Sequence, residues 1–304
     1  MRKIYVKLLF ILCLCMSFLF LKYETYTYTP SQTESKEKIR NQSKEYKVEV
    51  KTKNEVTTIP LEEYLIGVLS GEMPVSFEEE ALKAQAVASR TFVLSRNLKV
   101  DNTTNTQVYL SDQERKQEWK SKYQEYTKKL EKAVNETKGE VMTYQGKYIS
   151  ALFFSSSNGH TVNSEDYFSN QVSYLKSVDS HWDLTIDPHH TKTKVFTKKE
   201  LARIFQVSSI QMNITSYTKS GYVKSVVVND KEYTGKEIRE KLNLASSCFQ
   251  IELTSKGYKF TTHGSGHGVG MSQYGAQAMA LEGKDYQEIL HHYYQNVQIE
   301  SIES

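Results

Sequence analysis

The sequence predicts an α+β fold of mixed helices and hairpin-rich sheets, arranged as two lobes around a cleft and preceded by an N-terminal membrane anchor. Three observations carry this reading. Strand-like alternation and helix-like 3, 4 and 7 spacing are interspersed without a βαβ rhythm or an internal repeat, which argues against a doubly wound sheet. Twenty-one Tyr and twelve Phe against four Pro suit half-buried sheet and cleft positions, because flat amphipathic rings pack on pleats and on polar ligands such as sugars. Residues 8–21 form one uncharged apolar run.

Arg2, Lys3 and Lys7 precede that run and Lys22 closes it. Its length suits a signal-peptide core, yet counting from Ile4 with Lys7 snorkelling makes it long enough for a short span. No A-x-A-like cleavage site follows, so an uncleaved anchor over residues 1–22 is expected, with the remainder extracytoplasmic. Residues 23–43, rich in Thr, Ser, Glu and Lys, read as a tether, and residues 44–304 as the folded domain. Cys13 and Cys15 lie in the anchor, which leaves Cys248 as the sole thiol beyond it and excludes an intrachain disulfide there. Cys248 opens an alternating stretch and reads as a buried strand residue. A net charge of +3 in 304 residues is too weak for a nucleic-acid footprint.

Within the domain, residues 46–50 and 55–59 alternate as a hairpin. Pro60 suits the first position of a helix whose apolar stripe is Leu61, Tyr64, Leu65, Val68 and Leu69. That helix stops at Gly71. Ser76 and Glu79 form a capping-box pattern opening a second helix to about Asn97, whose Ala81, Ala84, Ala86 and Ala88 permit close approach by other elements. Residues 112–135 read as one long polar surface helix. Strands at 140–144 and 147–154 flank a Gln145-Gly146 turn. A helix is expected at 197–206, strands at 222–228 and 249–253, and closing helices at 272–282 and 285–294.

Glu72 sits in Gly71-Glu72-Met73-Pro74, between two apolar helices. Gly71 would allow a sharp turn, and Leu69, Met73 and Val75 would desolvate the carboxyl and raise its pKa towards the range of a general acid. The alternative is an ordinary surface-turn Glu. Residues 262–276, Thr-His-Gly-Ser-Gly-His-Gly-Val-Gly-Met-Ser-Gln-Tyr-Gly-Ala, describe a loop whose exposed amides could cradle a polar ligand before a helix opens at Ser272. It matches neither a Walker A nor a dinucleotide fingerprint. His263 and His267 could bind a metal only if helical, which the glycines oppose.

Pro60 to Leu65 with Gly71 to Pro74, Leu82 to Thr91, Ser155 to Thr161 and Gly264 to Ala276 together resemble the stage II sporulation protein D family, in order, from about Tyr46 to the C-terminus. The resemblance implies a lytic transglycosylase that cleaves stem-peptide-free peptidoglycan glycan strands during forespore engulfment. Glu72 would then act first as acid and then as base, with no cofactor. It also implies a location at the mother-cell membrane, and as partners an engulfment amidase and a recruiting membrane protein. Related domains are described as amidase enhancers, which leaves glycan binding in support of an amidase as the alternative. Arg90, Gln107, Tyr109, Ser155, Ser157, Asn158, His160, Ser265, His267, Gln273 and Tyr274, polar groups of the matching motifs, are the expected substrate-binding residues. For Arg90 a structural ion pair is an equal reading, and Asn158-Gly159 could be a plain turn. Some relatives carry zinc-binding Cys and His where this chain has Asp101, Asn105 and Thr106, so no metal is expected.

Overall fold

The computed structural model describes residues 46–51, 55–102 and 106–302. The expected hairpin is present: β1 (Lys47–Lys51) pairs antiparallel with β2 (Val56–Pro60), Lys47 opposite Pro60. Val48 and Val50 point inward, while Lys47, Glu49 and Lys51 face solvent. Pro60 ends the strand and caps α1 (Leu61–Glu72) instead of occupying its first turn. Helix α2 (Glu79–Ser95) follows. The Ser76 capping box does not form, because Gln277 from the end of the chain supplies the acceptor: the Glu78 N–H donates to its Oε1 at 2.6 Å. Strand β3 (Lys99–Asp101) joins β1 in parallel.

The expected helix over 112–135 is two helices, α3 (Asp112–Trp119) and α4 (Tyr123–Glu136), broken where Lys120 takes a positive φ of 49°. Ser111 and Glu114 close a capping box on α3. Strands β4 (Glu140–Tyr144) and β5 (Lys147–Tyr148) turn at Gln145-Gly146, both at positive φ as a two-residue hairpin turn requires. The second strand stops at Tyr148 because local bonds, Ala151 N–H to Ile149 O and Leu152 N–H to Ser150 O, bend the chain away from the ladder. It resumes as β6 (Phe153–Phe154).

Short helices α5 (Ser164–Phe168) and α6 (Asp183–Ile186) lead into β7 (Thr191–Phe196), α7 (Lys198–Phe205), β8 (Met212–Tyr217), β9 (Val223–Val228), β10 (Lys231–Thr234) and α8 (Gly235–Leu242). Strands β11 (Phe249–Thr254), β12 (Gly257–His263) and β13 (Met271–Ser272), helices α9 (Gln273–Leu281) and α10 (Tyr286–Tyr293), and β14 (Gln298–Ser301) complete the chain. The sheets are small, ordered β2-β1-β3, β10-β9-β8, β11-β12-β7 and β14-β4-β5, with β13 parallel to β6. The architecture is α+β. Cys248 lies one residue before β11 and is half-buried, not within the strand as the alternation suggests, since it is the turn out of Ser246 that sets the strand's start.

Two apolar clusters are buried among the described residues. The larger surrounds α2, whose Ala81, Ala84, Ala86 and Ala88 are fully enclosed by α1, α4, α9, α10 and β4. The smaller joins Leu201, Val226, Ile238 and Phe260 from the segment between β7 and β12. Arg90 lies inside the larger cluster with no exposed surface. Its guanidinium grips Glu62, with Nη2 2.6 Å and Nε 3.0 Å from the carboxylate oxygens, and bonds the carbonyls of Glu140 and Val134. The structural ion pair is therefore the reading of Arg90 that holds, because every route to a ligand is blocked by packing. Replacing it with the apolar Arg90→Met should destabilise the fold by about 3–5 kcal/mol, since a partly buried carboxylate and two carbonyls lose their donor. Urea denaturation measures this, and Glu62→Leu in the same chain should recover part of the loss.

Candidate active site

Glu72 is the last residue of α1, and its place is set by two glycines one helical turn apart. A Cβ on Gly67 would lie 2.2 Å from the Tyr109 ring, and one on Gly71 would lie 2.7 Å from the Val108 carbonyl oxygen. Segment 107–110 can therefore rest directly on the helix, where Leu110 N–H donates to Gly67 O at 3.1 Å and Val108 N–H donates to Glu72 Oε1 at 2.6 Å. Gly71 is helical and serves this close approach, not the sharp turn that its position before Met73-Pro74 suggests. Burial raises the Glu72 pKa, and the donors from Val108 and Gln273 oppose that rise by stabilising the anion.

Beneath the carboxylate runs a buried polar chain. Gln273 Nε2 donates to Gln85 Oε1 at 3.5 Å, and Gln85 Nε2 to Ser89 Oγ at 3.0 Å. Gln107 Nε2 bonds Ser89 O at 3.3 Å, and Tyr64 OH donates to Gln107 Oε1 at 2.9 Å. Tyr109 stacks on Tyr64 with centroids 5.5 Å apart. Gln107 is fully buried, so it holds the loop that bears Val108 and does not face a ligand, contrary to expectation. Burial, then the nearby charge of Glu72, pushes the Tyr64 phenol well above its usual range.

The stretch around Asp101 and Thr106, where the resemblance would place metal ligands, is held here by hydrogen bonds. Thr106 Oγ1 donates to Asp101 Oδ1 at 2.9 Å, and the Asn102 amide pairs with both backbone groups of Tyr109, at 2.8 and 3.0 Å. Asn105 lies outside the described residues. A hydroxyl, a carboxylate and an amide that bond within the loop do not fit a site built for thiolate and imidazole.

The Ser155-to-His160 segment and the glycine-rich loop meet where Ser156 and Ser265 exchange backbone bonds at 3.0 and 2.8 Å. The loop is not an open cradle of amides. Gly264, Ser265, Gly266 and Met271 spend their N–H groups on the carbonyls of His190, Ser156, Ala245 and Leu152, and Val269 spends its own on His267 Nδ1. The glycines are required by proximity: at Gly270, φ 84°, a Cβ would fall 2.0 Å from Leu152 O. Asp183, for which the sequence offers no signal, ties this seam together. Its carboxylate accepts from Ser157 N, Ser180 Oγ and Ser272 Oγ at 2.8, 3.0 and 2.8 Å, and Ser272 in turn caps α9 through Gly275 N.

The expected site residues thus divide. Gln273 lowers the Glu72 pKa against burial, Tyr109 belongs to the supporting loop, and Tyr274, half-buried, sits edge-on to Phe77 at 5.2 Å with its N–H on Ser155 O at 3.0 Å. Ser157 is fully buried on Asp183, so its hydroxyl is not a ligand contact. Asn158 donates to Ser220 O at 2.9 Å and Cys248 Sγ at 3.3 Å. His160 is exposed, 3.9 Å from Asp179. His267 is caged by Phe154, Tyr167 and Phe168, whereas His263 lies beside His190, so the two His do not share an environment. Gln85 was legible in principle: Gln85 and Ser89 are a polar pair, four apart, within the alanine-rich part of the buried helix.

A family model described as SpoIID, Stage II sporulation protein, matches residues 49–144. The chain is 44% identical over 280 residues to stage II sporulation protein D of Bacillus amyloliquefaciens, spanning 86% of this chain and 81% of that protein. It is 43% identical to the same-named protein of Bacillus subtilis (strain 168), over 84% and 78% of the two chains. The chain belongs to the stage II sporulation protein D family. It is also 29% identical to the amidase enhancer of Bacillus subtilis (strain 168), of whose length it covers 39%. Among the described residues of this family member no helix is long and apolar enough to cross a membrane, and the expected anchor at 1–22 and tether at 23–43 lie outside them.

Two outcomes are expected. Gly71→Ala, although Ala is the better helix former by about 1 kcal/mol, should lower stability by about 1–3 kcal/mol in urea melts, because Val108 must retreat. Burial, then the charges of Arg239 and Lys236, lowers the His267 pKa from 6.5 to about 4. The unfolded chain takes up this proton below its own pKa while the folded chain refuses it, so stability falls as pH drops through that window. In His267→Asn, urea midpoints measured at neutral and mildly acid pH should differ less than in the unaltered protein.

Proposed function

We propose that this chain is a peptidoglycan lytic transglycosylase of sporulation, with Glu72 as its one acid and base. The observation that carries the reading is the half-buried carboxyl at the end of α1, its pKa raised by burial yet met by two hydrogen-bond donors. Such a group holds its proton more readily than an exposed carboxyl and can still release it. Glu72 gives its proton to the glycosidic oxygen, the C1–O bond of muramic acid breaks, and the C6 hydroxyl of the same sugar closes on C1. The carboxylate takes the hydroxyl proton. No water enters, so no second carboxylate is needed to activate one.

The substrate is the glycan strand freed of stem peptides, with Tyr274 and Tyr109 as flanking surfaces. Residues 1–22 anchor the domain outside the mother-cell membrane, where an engulfment amidase and a membrane recruiter are its partners. A second reading, glycan binding in aid of an amidase, is favoured by the similarity to a protein named amidase enhancer.

One variant separates the two. Glu72→Gln should abolish release of anhydro-muramic ends from stem-peptide-free glycan, a loss of about 10²-fold or more, read by mass spectrometry. Products lighter by one water than reducing sugars are expected from the unaltered protein. Reducing-end products would overturn the transglycosylase assignment, and full stimulation of a partner amidase with no glycan cleavage by either protein would establish the enhancer.

A further inference from the structure

We propose that the basic pocket between β7, β12 and the end of α8 is a glycan subsite for the lactyl carboxylate of muramic acid, the charge that a strand gains when its stem peptide is removed. The inference rests on the glycan substrate proposed above and names the group by which such a strand is told from one still carrying peptides. The pocket has a volume of about 300 Å³, enough for a small ligand, and Lys192, Lys194, Arg239, Thr262 and Ser265 are among the residues that line it. Among the described residues no Asp or Glu lines it. Ser265 was expected to touch substrate, and this is where its side chain meets open space.

Register brings the two lysines together. Strand β7 is the edge of the sheet β11-β12-β7, with Lys192 opposite Thr262 and Lys194 opposite Phe260. Paired residues share a face, and Phe260 is buried in the smaller cluster, so both lysines leave the strand on the side of that cluster. Lys194 Nζ there donates to the carbonyls of Asn243 and, at 3.5 Å, Leu242, where the negative end of α8 favours a cation. Arg239 arrives from α8 already oriented, with Nε on Ala245 O at 3.4 Å and Nη1 on Tyr167 OH at 2.9 Å. None of the three cations has a carboxylate partner among the described residues, and neither Lys192 Nζ nor the Ser265 hydroxyl has a hydrogen-bond partner among them. The field of Arg239 reaches His267, whose pKa is lowered by burial and then by Arg239 and Lys236. Inward-pointing lysines on an edge strand also guard against pairing with another chain. That role needs no arginine, no cavity and no open hydroxyl. A carboxylate accepts several donors at once, and ammonium, guanidinium and hydroxyl donors share this one cavity. In a strand with stem peptides the lactyl group is a neutral amide that continues into peptide. Hydrolysis of that amide leaves a free carboxylate on every second sugar, so charge and bulk both change at the group this pocket would hold.

The test measures binding to the full chain carrying Glu72→Gln, by calorimetry, of stem-peptide-free glycan and of the same glycan with its lactyl carboxyls converted to methylamides. The carboxylate strand should bind about tenfold more tightly, and added salt should narrow the gap. With Lys192→Gln and Lys194→Gln together, the two strands should bind alike. Glutamine still offers the α8 carbonyls a donor, and Lys192→Gln alone, which costs the fold no hydrogen bond, should remove part of the ratio. Equal affinity of the parent for both strands, or a ratio that survives the double variant, would overturn the proposal. Tighter binding of poly(glycerol phosphate) than of the carboxylate strand, lost in the double variant, would overturn it too and assign the pocket to phosphodiesters. Binding of neither strand would refute the glycan reading itself. Cleavage by Glu72→Gln would refute the acid assigned above, while the affinity ratio of the two strands still decides the pocket.

Discussion

The contact between segment 107–110 and helix α1 governs the candidate site. It exists because Gly67 and Gly71 offer bare backbone, one turn apart, to the Tyr109 ring and the Val108 carbonyl. Once the strip is seated, its geometry follows: Tyr109 stacks on Tyr64, Gln107 is drawn into the interior, and Val108 N–H falls on the terminal carboxylate of the helix. A helix C-terminus is an unfavourable place for an anion, because the backbone dipole there is negative. The imported N–H offsets this. The same two glycines therefore fix the loop and make the helix end tolerable for Glu72.

A second constraint holds the other half of the frame. Asp183 is a buried carboxylate with three donors drawn from three separate segments, Ser157, Ser180 and Ser272. Burial raises its pKa and those bonds lower it, the same opposition seen at Glu72. The difference lies in access. Asp183 is fully enclosed, and its bonds are spent on joining the Ser155-to-His160 segment to the start of α9. Glu72 keeps part of its surface exposed, with only one oxygen taken by the backbone.

Much of the fold was legible where the chain alternates or repeats with a clear period: the opening hairpin, the alanine-lined α2, the Gln145-Gly146 turn and the two closing helices. Strand β7 was not, because Thr-Lys-Thr-Lys-Val-Phe carries almost no apolar signal and is exposed along its length. The break at Lys120 was hidden too, since the polar residues around it carry no period to mark it. The second helix is not the surface helix expected there, because Leu130, Ala133 and Val134 are buried in the larger cluster. In the site, residue types were legible more often than residue roles. Arg90, Gln107 and Ser157 are polar residues in family motifs, yet tertiary packing consumes all three internally. Glycine density behaves alike: it signals close approach, and only structure tells whether the approaching group is a ligand or the protein itself. At Gly264 and Gly270 it is the protein's backbone, at Gly266 and Gly268 its side chains.

These internal bonds bear on how one carboxyl could serve as acid and then base. Burial alone would make Glu72 a proton holder that is reluctant to ionise, and donors alone would make it an anion that seldom protonates. The protein applies both: burial at the end of α1 raises the proton affinity, and Val108 and Gln273 from the facing segments lower it. Because each donor is held by the protein's own bonds, the loop on one side and the Asp183-held helix start on the other, neither has to move when the proton leaves. A site framed in this way would have its charged state prepared by folding, before any substrate is bound.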